Sequence, residues 1–191
     1  MKQRRAARTR WLVGLALLGW CGMSAAEEPI RIPVQTVADY IHAVIEADRT
    51  FYSLQIVERL QREGVAQASE HWRVSKTLPL PAQFLKESSD LAMLTGTRFR
   101  YRLIGQWPIN PENGPVTDFE KAGLEQVKTN PERPYTGVVL IEDRRAFQAI
   151  YADRAVSRTC VKCHNAHPQS PRKDFKLDDV MGGVEITIPL E

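Results

Sequence analysis

The sequence predicts a single α+β domain with about four strands and three helices. One long helical pattern opens the body of the chain, and four later stretches have the alternating or β-branched composition of strands. The chain has 191 residues, of which 43% are hydrophobic and 26% are charged. This is enough apolar material for one substantial core, but the chain is short for two domains.

Three helices are predicted from apolar periodicity and from residues that begin or end helices. The first spans about residues 33–63, opens on a proline and is followed by a glycine. The second spans about 81–94 and also begins at a proline. The third spans about 117–128, where Thr117 and Glu120 have the spacing of a capping box.

The strands follow in the second half of the chain. Residues 97–104, TRFRYRLI, alternate arginine with apolar side chains, which is typical of a strand with one buried face. Residues 135–143 and 146–153 flank a tight charged turn around 143–144, which predicts an antiparallel hairpin. The C-terminal stretch 182–190, GGVEITIPL, alternates in the same way and predicts an edge or central strand.

The first 26 residues have the features of a secretory signal peptide. Five basic residues and no acidic residue are followed by the apolar run WLVGLALLGWCGM and then by small residues. The apolar run is too short to span a bilayer comfortably, so we expect cleavage after Ala26 and export to the periplasm of a mature domain, residues 27–191. A lipid anchor on Cys21 is the alternative, but bulky Trp20 stands where a small residue is required.

The charge of the mature chain argues against polyanionic partners. The intact sequence has a net charge of +3, and removal of the five basic leader residues changes it to −2. We therefore expect no nucleic-acid binding and no attraction to anionic membranes. We also expect no membrane insertion of the mature chain, because no anchor remains after cleavage.

The motif CVKCH at residues 160–164 places two thiols and an imidazole within five residues. This spacing allows Cys160 and Cys163 to bond covalently to the two vinyl groups of one haem while His164 ligates the iron. A zinc site would need a second pair of Cys or His ligands, and a thioredoxin-like pair would open a helix early in a βαβ unit. A structural disulfide is the remaining alternative. The motif predicts one covalent haem c with His164 as proximal ligand.

The sixth iron position has several candidate ligands in the mature chain. Met181, which precedes two glycines, and His71 are the candidates for the distal side, although core packing is the commoner role of methionine. Arg49 and Tyr52, one helical turn apart, are the preferred partners for the haem propionates, because a guanidinium pairs well with carboxylates. The other candidates for ligation or propionate binding are His42, Met93, His167, Arg98, Arg100 and Arg102.

Three segments, taken together, resemble a known family: LPLPAQF (78–84), WPINPENGP (107–115) and the stretch from CVKCH to the C-terminus. They are similar to the periplasmic c-type haem sensor domain, a family formerly catalogued as a domain of unknown function and found alone or joined to bacterial signalling modules. The resemblance covers essentially the whole mature chain. It implies a PAS-like antiparallel sheet flanked by a long N-terminal helix and shorter helices, with the haem held between them.

The resemblance also implies something about the distal side of the haem. Some relatives place a cysteine thiolate just ahead of the helix that corresponds to AQFLKESSDLA, where this chain has Leu78, Pro79 and Leu80. We therefore expect Leu78 and Leu80 to form an apolar lid over the haem. The distal site is then either vacant or filled by a substitute Met or His.

The leading functional hypothesis is a binding module whose haem reports redox state or a diatomic gas such as NO through a change in ligation. Relatives in signalling proteins continue into a membrane helix and a transmitter domain, so we expect this chain to need a separate signalling partner. One alternative is a soluble periplasmic electron-transfer cytochrome with a redox partner protein. Another is a haem enzyme acting on peroxide or nitrogen oxides, for which His71 and His42 are the candidate distal acid–base groups.

Overall fold

The computed structural model describes residues 28–190. The contacts divide the chain after Arg31, and the described helices and strands all belong to the unit that begins at Ile32. The leader expected from the sequence, including Cys21, lies outside the described residues. Within those residues, no helix combines the length and the apolar character needed to cross a membrane.

The long helix predicted at the start of the mature domain is present and has three consecutive parts. α1 (Val34–Phe51) leads directly into a π-helical segment (Tyr52–Glu58) and then into a last turn, α2 (Arg59–Arg62). Gly64, with a φ of 70°, follows the last turn in the left-handed conformation that glycine adopts most readily after a helix. π-Helical segments are rare and occur frequently at functional sites.

The two other predicted helices are also present. They are α3 (Pro81–Met93) and α4 (Asp118–Thr129). The capping box predicted for α4 is formed: the Glu120 amide donates to Thr117 Oγ1 at 3.1 Å, and the Thr117 amide donates to the Glu120 carboxylate at 3.4 Å.

Two short helical elements were not predicted. One is a 3-10 turn (Pro111–Asn113) within the turn-rich segment before α4. The other is α5 (Arg158–Ala166), which carries the CVKCH motif. Its start is capped by Ser157, whose Oγ accepts a hydrogen bond from the Cys160 amide at 3.2 Å. This serine cap was the sequence signal for the helix, but the nine residues show little apolar periodicity.

Four antiparallel strands form one sheet in the order β1-β4-β3-β2. The strands are β1 (Arg100–Gly105), β2 (Tyr135–Ile141), β3 (Arg144–Arg154) and β4 (Val180–Pro189). The predicted hairpin is β2–β3, and its turn residues Glu142 and Asp143 have positive φ values of 50° and 61°. The turn therefore lies one residue earlier than predicted. The C-terminal strand β4 is central, between β1 and β3.

Alternation along the strands gives the sheet two different faces. α1 and α3 cover the first face, whose core consists of Ala38, Ile45, Leu85, Phe147, Ala149, Tyr151, Val184 and Ile186. α4 covers part of the second face, over a smaller core of Ile104, Leu124, Val127 and Ile150. One sheet flanked by a long N-terminal helix and shorter helices confirms the α+β class and is consistent with the PAS-like fold.

The start of β4 lies very close to β1. A Cβ atom on Gly182 would collide with the carbonyl oxygen of Ile104, and one on Gly183 would collide with the side chain of Ile150. Glycine is therefore required at both positions for the strands to approach as they do.

Candidate functional site

A cavity of about 460 Å³ lies at the end of the sheet, between the motif helix α5, the π-helical segment, the start of α3 and the loop that follows β1. Apolar atoms contribute most of its lining area, although about half of the lining residues are polar or charged, and its volume is typical of a cofactor pocket. Cys160, Cys163 and His164 all line it. The structure therefore places the three reactive side chains of the motif at one cavity.

The helical conformation of α5 explains this arrangement. Residues three and four apart lie on the same face of a helix, so Cys160, Cys163 and His164 face the same way. Both thiols are free; that of Cys160 is half-buried, with Sγ 3.2 Å from Ser157 Oγ, and Cys163 is exposed. The two thiols are thus separate and available for bonding to a group held in the cavity.

His164 is held in a defined orientation beside the cavity. Its ring packs edge-on against Phe175, with ring centroids 5.8 Å apart, and its Nδ1 is buried without a hydrogen-bond partner. Burial lowers the pKa of His164, and the charges of His167 and Arg49 lower it further. The imidazole is therefore favoured in its neutral form, which is the form that binds a metal.

These observations fit a covalently held haem. The cavity supplies two free thiols in a Cys-x-x-Cys sequence, an imidazole favoured in its neutral form with a buried unpartnered nitrogen, and a lining that is apolar over most of its area. Residues 28–190 contain no group of three or more His, Cys, Asp or Glu side chains arranged to hold a metal ion directly.

Arg49 lines the cavity and forms a buried ion pair that the sequence analysis did not identify. Its Nη2 lies 2.6 Å from Asp153 Oδ1, and each side chain is 5% exposed. Burial raises the pKa of Asp153, and the charge of Arg49 opposes this rise. The Nε and Nη1 atoms of Arg49 are buried without hydrogen-bond partners. The only sequence signal for Asp153 was an aspartate near the end of a strand whose preceding residues are mainly apolar.

Tyr52, proposed with Arg49 as a propionate partner, is not among the side chains that line the cavity. Its hydroxyl donates to the Pro79 carbonyl at 2.8 Å, and its ring stacks on Phe84 with centroids 4.4 Å apart. In this position, Tyr52 fastens the start of α3 to the long helix.

The predicted apolar lid is divided between two environments. Leu80 lines the cavity, and Pro81 and Ala82 continue the same wall. Leu78 is instead held by backbone bonds: its amide donates to the Gln67 carbonyl at 2.8 Å and its carbonyl accepts from the Ser69 amide at 3.0 Å. Leu80 therefore faces the predicted haem position, whereas Leu78 belongs to the support behind it.

Met181 lines the cavity and is 7% exposed. It packs with Ala155 and Phe175, and Cys160 of the motif helix packs against the same cluster. Because Phe175 also contacts His164, Met181 lies in the apolar cluster that supports the motif helix. This position favours a packing role for its side chain.

The other candidate ligands lie in varied surroundings. His71, the second distal candidate, is exposed, pairs with a neighbouring glutamate and is not part of the cavity wall. His42 stacks on Tyr151, with centroids 3.9 Å apart, and Met93 is 39% exposed on α3. His167, the residue that ends α5, does line the cavity. His164 and His167 are thus the histidines that the described residues place at the cavity wall.

The profile of one protein family matches residues 27–189 of the chain. The chain belongs to the Tll0287-like family. This match confirms the family resemblance drawn from the sequence, and every cavity-lining residue of this Tll0287-like chain falls within it. Among solved structures, the crystal structure of the cyanobacterial heme-protein Tll0287 aligns with a TM-score of 0.44 and 14% identity, over 84% of this chain and 98% of that chain. No curated protein matched the chain.

Proposed function

We propose that the chain is an exported protein with one covalent haem c, which acts as a module for sensing redox state or a diatomic gas such as NO. The observation that carries the proposal is that Cys160, Cys163 and His164 reach one mainly apolar cavity from the same face of α5. Membership of a family named after Tll0287, a cyanobacterial heme-protein, agrees with it.

Each motif residue has a distinct role in this proposal. Cys160 and Cys163 hold the cofactor through thioether bonds, and His164 binds its iron from the face that α5 presents. When bound, a haem supplies an iron centre that changes oxidation state and takes up small gases. Phe175 keeps the His164 ring in its orientation.

Three apolar residues at the start of α3 favour gas binding over tight ligation by the protein on their side of the cavity. The side chains of Leu80, Pro81 and Ala82 carry no nitrogen, oxygen or sulfur, so this wall excludes water and supplies no iron ligand. Met181 also lines the cavity, but its side chain packs with Ala155 and Phe175 in the apolar cluster against which the motif helix lies. We therefore infer a sixth position that is vacant or weakly occupied.

Arg49 keeps its proposed role as a propionate partner. Its Nη2 is paired with Asp153, while Nε and Nη1 have no partner and remain available to a carboxylate. Asp153 holds the guanidinium in place and balances its charge away from water.

Electron transfer is the second candidate function. Cys163 is exposed, and a cofactor bonded to it would have one edge close to the surface, where a redox partner protein could approach.

For either function, we propose that residues 1–26 direct the chain to the periplasm. There it would act with a protein partner, for signalling or for electron transfer, and without nucleic acid.

The proposal is tested by intact-mass analysis and visible absorption spectra of the protein purified from the periplasm. We expect one haem mass that survives denaturation in the wild-type chain and weakened attachment in Cys160→Ala and Cys163→Ala. His164→Ala should disturb the spectrum, whereas His71→Ala, at an exposed histidine outside the cavity wall, should leave it close to wild type. A normal spectrum in His164→Ala would show that the proximal assignment is wrong.

Addition of NO to the ferrous protein separates the two functions. A sensor of the proposed kind should start five-coordinate or weakly six-coordinate and bind NO without displacing a strong protein ligand. A stable low-spin six-coordinate spectrum that NO does not change would favour the electron carrier.

A further inference from the structure

A second cavity, of about 690 Å³, lies along the second face of the sheet and extends to α3; it shares Ala82 with the first cavity but contains none of the motif residues. Its floor consists of polar side chains from three adjacent strands: Arg102 on β1, Glu185 and Thr187 on β4, and Gln148 on β3. Phe119 at the start of α4 and Val139 on β2 add apolar side chains to its walls. Covered sheet faces are normally apolar, so a buried polar floor needs an explanation.

Glu185 is held rigidly in this floor. Gln148, Glu185 and Thr187 are 5%, 5% and 9% exposed. Glu185 Oε1 accepts hydrogen bonds from Gln148 Nε2 at 2.8 Å and from Thr187 Oγ1 at 3.2 Å. Its other oxygen, Oε2, is buried and accepts no hydrogen bond. The carboxyl is therefore oriented by two donors while half of its acceptor capacity is unused.

Arg102 is shared between two buried carboxyl groups. Its Nη2 lies 2.9 Å from Glu120 Oε2, whereas its Nε lies 3.5 Å from Glu185 Oε2, too far for a strong hydrogen bond. Burial raises the pKa of Glu185, and Arg102 opposes the rise without satisfying the second oxygen. One guanidinium thus faces two carboxyl groups, of which Glu120 is the better matched.

The other charged side chains around the cavity are either paired or exposed to water. Lys86 pairs with Asp90, with Nζ 2.7 Å from Oδ2. Arg100 and Glu112 are exposed, so solvent screens their charges. Glu185 is the group whose charge is both out of water and incompletely matched. The unpaired oxygen of this buried carboxyl is best satisfied by a positively charged hydrogen-bond donor.

We propose that this second cavity binds a small organic cation with N–H donors, namely a primary ammonium or a guanidinium on a short apolar group. The N–H donors bind Glu185 Oε2, and the apolar group packs on Phe119 and Val139. Arg102, whose side chain is 37% exposed, moves toward solvent and keeps its bond to Glu120. The cavity volume suits a free small molecule.

Calorimetric titration of the haem-loaded protein with n-butylammonium tests this proposal. We expect saturable binding with one site and no change in the haem absorption spectrum. Tetramethylammonium has the same charge without N–H donors, and butyrate has a similar apolar chain with the opposite charge. Both should bind at least roughly tenfold more weakly, because neither can donate a charge-assisted hydrogen bond to Glu185.

Two variants complete the test. Glu185→Gln removes the charge while keeping the shape, and it should weaken n-butylammonium binding by roughly ten- to a hundredfold. Val139→Trp, on the edge strand β2, should fill the cavity and abolish binding even if Glu185→Gln fails to fold. Glu63→Gln is the matched control. Glu63 directly follows α2 and is exposed, so this variant should bind n-butylammonium like wild type. Absence of saturable n-butylammonium binding, preference for butyrate, or unchanged binding in either folded cavity variant overturns the proposal.

Discussion

At the scale of single residues, Met181 allows packing and iron ligation to be separated. Its side chain is 7% exposed and packs with Phe175 in the apolar cluster against which the motif helix lies. We predict that Met181→Ala lowers the free energy of unfolding by about 2–4 kcal/mol, because the truncation leaves a cavity in this cluster. The haem absorption spectrum should remain nearly unchanged.

Urea unfolding and visible spectra measure these two effects on the same samples. Met93→Ala, at an exposed methionine on α3, is the matched control and should cost clearly less stability. Conversion of a low-spin spectrum to a high-spin one in Met181→Ala would identify Met181 as the sixth ligand. The electron carrier would then be the better functional hypothesis.

His42 is the residue expected to make stability depend on pH. Its ring stacks on Tyr151, and its Nε2 is buried without a hydrogen-bond partner. Burial lowers the pKa of His42 from 6.5 to about 4, and the charge of Asp39 opposes this shift. As the pH falls below the unfolded-state value, the unfolded chain binds a proton more readily than the folded one. Stability is therefore lost between about pH 6.5 and pH 4.

Urea unfolding at about pH 7 and about pH 5 measures this loss. After allowance for the partial exposure of the ring, His42 should account for on the order of 1 kcal/mol of the difference. His42→Phe should lack that part of the loss, and His71→Phe, at an exposed histidine, should retain it. The same pH dependence in His42→Phe and in wild type would assign the effect to other groups.

At the scale of elements, the start of α3 is the wall expected to control access of gases to the iron. The Tyr52 hydroxyl holds the Pro79 carbonyl, and the Gln83 side chain accepts a hydrogen bond from the Leu80 amide at 3.0 Å. Proline also restricts the backbone on both sides of Leu80. This wall is therefore stiff, and an added side-chain group should narrow the path past it.

We predict that Leu80→Phe slows association of NO with the ferrous protein several-fold. The absorption spectrum before NO is added should stay the same, because His164 is not affected. Stopped-flow absorption measures the rate. Leu91→Phe is the control, because Leu91 lies on the same helix and is 65% exposed. Equal association rates for Leu80→Phe and wild type would place the gas path elsewhere.

At the scale of the whole molecule, the mature protein is expected to begin at Glu27. We predict an intact mass that corresponds to residues 27–191 plus one haem retained under denaturing conditions, and N-terminal sequencing that starts at Glu27. A free CxxC in the purified protein would contradict attachment, and an acylated Cys21 at the N-terminus would contradict a soluble periplasmic location.

Much of the fold and the chemistry of the motif could be predicted because both depend on short-range patterns. Strand alternation and the spacing of Thr117 and Glu120 are local, and they placed the strands, the hairpin and the α4 cap correctly within about three residues. The CVKCH motif predicts thioether attachment and proximal ligation from five consecutive residues. α5 was missed because its cap, Ser157, is followed by few apolar residues at helical spacing.

The sequence by itself therefore determined the family, the α+β class and the motif that would bind haem. Tertiary structure decided which distant side chains share a cavity. Arg49 meets Asp153, Leu80 rather than Leu78 lines the wall, and Glu185 lies in a polar floor beside Gln148. These pairings depend on strand register and on how helices pack across the sheet. The residues involved are far apart in the chain, so no short-range sequence pattern could predict their contact.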